Sequence, residues 1–119
     1  PLVWEGSSIH CIHLETARFA DILASVDIVV TKPGFGIVSE CIANEKPILY
    51  SDRENFLEYP VLVESIERYC RNAFIPGKEL YAGHLERAIE AIKAAPPAAE
   101  TLPRGGAQLA ANAILEYLR

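Results

Sequence analysis

Methionine is missing from this chain, cysteine is scarce, and no stretch of about 18 apolar residues runs unbroken. The last absence removes a membrane-spanning helix, although 50% of the 119 residues are hydrophobic. The apolar residues come in short bursts, the pattern of an ordinary core of about one domain. The opening Pro1-Leu2-Val3-Trp4-Glu5 lacks the basic start and apolar centre of a secretory signal. There is no basic stripe either: 11 Lys and Arg are scattered among 16 Asp and Glu, for a net charge of −5. Nucleic acid is not an expected partner of such a surface. The only cysteines are Cys11, Cys41 and Cys70, odd in number and widely spaced, which argues against a disulfide framework and for a reducing cytoplasm. Each sits in an apolar stretch and reads as a small core residue.

Several catalytic signatures are missing too. Gly34 and Gly36 are followed by Ser39 where a dinucleotide fingerprint needs a third glycine, and no G-K-[ST] of a Walker loop follows. His10 and His13 fall on opposite faces of an expected strand with no partner cluster, so a metal site is not predicted. His84 reads as a solvent-facing helix start. It forms no triad with Ser39 and Asp52, because no nucleophile elbow surrounds the serine. Trp4, with Leu2 and Val3, reads as a docking strand or a frayed end.

What is present is a periodic alternation of elements. IHCIHL, Ile9 to Leu14, reads as a strand; Phe19, Ile22, Leu23 and Val26 then mark a helix from about Ala17 to Ser25. Asp27 to Thr31 is β-branched without alternation, as in a strand covered on both faces. A loop from Gly34 to Gly36 precedes a helical stripe of Ile37, Val38, Cys41 and Ile42 that closes near Asn44. Pro47 to Tyr50 is the next strand, Pro60 opens a helix carrying Leu62, Val63, Ile66 and Tyr69, and Ala73 to Ile75 is a short strand before a Pro76-Gly77 turn. Leu85, Ala88, Ile89 and Ile92 mark another helix. A proline- and alanine-rich connector over 94–106 leads to a last helix, Ala107 to Leu118, with Ala110, Ala111, Ile114, Leu115 and Leu118 expected inward. The pattern predicts an α/β fold, a Rossmann-like doubly wound parallel sheet in a single domain spanning 1–119.

In such sheets ligands bind beyond the carboxyl ends of the strands, and KPGFG lies there. Glycines allow close backbone approach, and the first amides of the next helix, at its positive end, favour an anion. Lys32 adds a point charge, so a phosphate or diphosphate is expected over Gly34 to Val38. Glu40, in the early helix, would repel a phosphate unless it faced something else. A pair of ribose hydroxyls is that something.

DIVVTKPGFGIVSECIANEKPILY resembles the donor-binding segment of two-domain GT-B glycosyltransferases, in particular the peptidoglycan N-acetylglucosaminyltransferase and UDP-glycosyltransferase group. There, a strand ends in a basic residue or histidine, a glycine follows two residues on, and a glutamate stands eight residues after the basic position, ahead of a proline-led strand. Lys32, Gly34, Glu40 and Pro47 stand in register with that pattern. The K-P-G-[YF]-G-x-V-S-E form is also similar to the transferase-like part of some sugar-kinase fusions.

The resemblance implies that Lys32 and the backbone of Gly34, Phe35, Gly36, Ile37 and Val38 hold the diphosphate, with Ser39 nearby and Glu40 on the ribose. Asp52 to Glu58 would face the donor sugar, chiefly through Arg53, Asn55 and Glu58, and the turn from His13 to Thr16 would lie beside the base. The partner is then a UDP-sugar or related nucleotide sugar, with no cofactor. The chain departs from the family in two ways: Ile37 replaces a hydroxyl residue that meets phosphate, and no glutamine lies between 52 and 58. It also lacks the Asp-x-Asp pair that holds metal in the other large glycosyltransferase class. The likeness runs to the GGAQLAANAILEYL helix but covers only the latter part of the family's C-terminal domain. The chain is therefore expected to be a fragment, inactive without the missing N-terminal acceptor domain, with an open sheet edge that could pair copies into a homo-oligomer. Two other readings remain: a nucleotide-sugar epimerase of the same fold, and a non-catalytic sugar-nucleotide-binding or interaction module.

Overall fold

The computed structural model describes residues 9–119. Leu2, Val3 and Trp4, expected as a docking strand or a frayed end, lie outside them. Three parallel strands, β1 (Val29–Thr31), β2 (Ile48–Ser51) and β3 (Asn72–Ile75), form a sheet in the order β1-β2-β3, with Val29 opposite Ile48 and Ile48 opposite Asn72. The helices are α1 (Phe19–Ser25), α2 (Phe35–Ala43), α3 (Tyr59–Tyr69), α4 (Gly77–Tyr81), α5 (Glu86–Ala94) and α6 (Gly106–Tyr117).

Burial explains the placement of β2. All four of its residues are buried, as an uninterrupted apolar run requires when both faces are covered. Successive side chains point to opposite faces. Ile48 and Tyr50 pack with Leu23 of α1, Val38 and Cys41 of α2, and Leu62 and Ile66 of α3. Leu49 packs on the other face with Ile75, and with Ala88 and Ile92 of α5. Strands added in one direction by right-handed crossovers must place α2 and α3 on one face, which the first cluster reflects. The result is a mixed α/β structure with helices on both faces of a small parallel sheet. Among the described residues, no helix is long and apolar enough to cross a membrane.

Four sequence expectations need correction. The expected strand from Ile9 to Leu14 is irregular chain running into a turn, and Ile9, Ile12 and Leu14 are exposed. A strand exists only through its ladder, and among the described residues β1 pairs with β2 alone. Cys11 consequently lies exposed rather than in the core, unlike Cys41 and Cys70. Strand β1 is not fully covered on both faces: Val29 and Ile28 pack against the two opposite clusters, but Val30 remains 42% exposed. No residue of α6 is buried, so the stripe expected inward, Ala110, Ala111, Ile114, Leu115 and Leu118, faces solvent. The connector before α6 is nonetheless anchored. The Glu100 amide donates to the Arg68 carbonyl at 3.0 Å, and Arg68 Nε meets the Glu100 carboxylate at 2.6 Å.

Candidate functional site

The three strands end at one edge of the sheet, and a cleft of about 810 Å³ opens there. Lys32 enters it from β1, Asp52, Arg53 and Glu54 from β2, and Gly77, Lys78 and Tyr81 from α4, which follows β3. Parallel strands bring their carboxyl ends together, so residues far apart in the chain share one rim.

The loop after β1 is shorter than expected. Helix α2 begins at Phe35, so the loop is Lys32-Pro33-Gly34, and Gly36 is already in the first turn. Pro33 is buried, anchoring the loop to the body. Gly34 is the N-cap in extended conformation, with no side chain capping the helix. The Val38 amide is engaged, donating to the Gly34 carbonyl at 3.0 Å. The donors that helix geometry leaves without intrahelical partners are therefore those of Phe35, Gly36 and Ile37. A Cβ at Gly36 would meet nothing within 4 Å, so open space lies against this turn. Val38 is buried in the core and Ile37 packs partly against it.

Arg53 sets the loop's position. Its Nη1 donates to the Pro33 carbonyl at 2.9 Å, and its guanidinium lies 3.9 Å from the centroid of the Phe56 ring. Asp52 performs the parallel task on the other side, where its Oδ1 accepts the Gly77 amide at 2.6 Å. That bond, ahead of one from its own amide, holds the Asp52 carboxyl below its ordinary pKa. The start of α4 is thus filled by a protein carboxylate, whereas the start of α2, which does not line the cleft, has no side-chain cap and adjoins it through Lys32 and Arg53.

The remaining expected residues spread out. Glu40 is exposed, sixth in α2, and does not line the cleft; it stands four residues from Gly36, on the same outer face. Ser39 turns away, its Oγ donating to the Phe35 carbonyl at 2.7 Å. It lines a second cavity, of about 770 Å³, with Pro47 and Arg71, which precede β2 and β3 and so mark the amino ends of the strands. Asn55, in a left-handed turn at φ 55°, and Glu58, the N-cap of α3, are exposed outside the cleft. So is the His13–Thr16 turn, closed by the Thr16 amide and hydroxyl on the His13 carbonyl.

Of the expected set, then, only Lys32 and Arg53 line the cleft; Gly34, Phe35, Gly36, Ile37 and Val38 do not, and their loop adjoins it through Lys32 and the Arg53–Pro33 bond. Gly77, Lys78 and Tyr81 were not anticipated. The Pro76-Gly77 turn after the third parallel strand was their signal, because it lies at the same edge as KPGFG. No family model, curated protein or solved structure matches the chain.

Proposed function

We propose that this chain is the nucleotide-sugar-binding part of a GT-B glycosyltransferase, with a doubly wound donor domain, working in the cytoplasm on a UDP-sugar whose glycosyl group passes to an acceptor held by a separate domain. The supporting observation is the start of α2. It has no side-chain cap, follows β1 directly after Lys32, whose side chain lines the cleft at the strands' carboxyl ends, and has open space at Gly36 with Glu40 one turn along the same face.

A diphosphate over the amides of Phe35, Gly36 and Ile37 meets the positive end of the helix dipole and the Lys32 ammonium. The glycine at 36 lets the ligand pass along the outer face, where the Glu40 carboxylate accepts from two ribose hydroxyls. When the glycosyl bond breaks, charge grows on the departing diphosphate. Fixed amides and Lys32 oppose that charge without reorganising, the electrostatic contribution expected of the site. Arg53 acts on this reading by holding the Pro33 carbonyl, and so the loop, rather than by gripping the sugar.

Calorimetric titration with UDP and UDP-sugars tests the reading. UDP is expected to bind, and binding to fall at least tenfold in Glu40→Ala and in Lys32→Ala, about 1.4 kcal/mol or more for each lost charged contact. Silence toward UDP, or binding indifferent to both substitutions, overturns it. Inversion at C2 of a UDP-sugar incubated without acceptor would assign the site to an epimerase instead.

A further inference from the structure

We infer that Tyr81 is a positioning residue for Lys32, and that Asp52 holds Tyr81 in place through the amide of Gly77. The Lys32 ammonium lies over the Tyr81 ring, 5.0 Å from its centroid. A cation at that distance is attracted to the ring's negative face. The contact joins the first strand end to the last residue of α4. Without it, the long Lys32 side chain would sample many rotamers and lose that freedom on meeting an anion.

The placement of α4 has its own cause. Its first residue, Gly77, is buried, and its amide is bonded to Asp52 Oδ1. A Cβ at Gly77 would stand 3.2 Å from both Asp52 carboxylate oxygens, so glycine is what lets the carboxylate come so near. Tyr81 is four residues on, one helical turn from this tie. The path therefore runs from Asp52 to the Gly77 amide, along α4 to Tyr81, and across to Lys32. The Lys32 pKa is raised, first by hydrogen bonding with the Tyr81 side chain, against opposing desolvation, with smaller contributions from the Tyr81 and Asp52 charges. Tyr81 is 74% exposed, so replacing it should leave the core intact.

The role in ligand binding rests on reading the cleft as a diphosphate site, and two readouts separate the claims. One is UDP affinity by calorimetry; the other is the titration of Lys32 followed by NMR at its ε-carbon, with no ligand present. Tyr81→Leu is expected to weaken UDP binding about three- to fivefold, the value of an exposed cation–ring contact, and to lower the Lys32 titration midpoint. Tyr81→Phe, which keeps the ring, should recover most of the affinity. Gly77→Ala should lower the midpoint as Tyr81→Leu does, since it displaces the tie without touching Lys32. If UDP binds and depends on Lys32, yet Tyr81→Leu changes neither readout, the positioning role is wrong and the diphosphate site stands. If UDP does not bind while both variants still move the Lys32 midpoint, the tie stands and the diphosphate site does not.

Discussion

The three thiols show how strongly a side chain's chemistry depends on its place. Burial pushes Cys41 and Cys70 from an ordinary pKa of 9.0 up to about 11, whereas Cys11 is exposed. In the folded chain the buried thiols keep protons that the unfolded chain has already released at pH 10. Folding therefore binds protons in that range, and stability must fall as pH rises from 9.0 towards 11. Tyr50 and Tyr59, also raised by burial, act in the same direction. Urea midpoints should drop between pH 8 and pH 10.5, and the drop should shrink in Cys41→Ala with Cys70→Ala. Below pH 9, alkylation should label Cys11 and spare the other two until the protein unfolds. The sequence marked Cys41 and Cys70 as core through the apolar stretches around them. It misplaced Cys11 because IHCIHL has the same apolar density as a buried strand, and density does not reveal whether a neighbouring strand is there to pair with.

At the scale of elements, α2 carries the site, and its start is the most informative boundary in the chain. Helix, strand and the KPG turn were legible from the β-branched run and the stripe that follows. The boundary at Phe35 was not, because two glycines in three residues suggest a loop, whereas packing of Ile37 and Val38 on the sheet brings both neighbours into the helix. Gly36 has no positive φ, so glycine is not needed there for backbone reasons. Gly36→Ala is therefore expected to raise stability by about 0.5–1 kcal/mol, as glycine-to-alanine changes do at compatible sites, while weakening UDP binding by intruding on the open space. A denaturant titration and a calorimetric titration on the same variant check both halves. Unchanged UDP affinity would mean that no ligand passes over this turn. Helix α4 escaped prediction because Gly77–Tyr81 is too short to show a periodic stripe.

For the molecule as a whole, stability resides in the sheet and the helices that cover it, not in the last helix. Periodicity found α6 correctly as a helix; it could not say whether anything packs against the stripe. Ending the chain after Gly105 removes no buried residue and leaves the Arg68–Glu100 anchor in place. The urea midpoint should shift by the equivalent of about 0.5 kcal/mol or less, as for surface changes in general. A larger loss would show that α6 holds the connector down. The strand order has a different consequence. Because β1, β2 and β3 lie side by side in the order in which they occur, no late strand has to slip between two earlier ones. A chain emerging from the ribosome can lay each strand against the one already formed, so the rim carrying Lys32, Asp52 and Gly77 is assembled in the direction of synthesis.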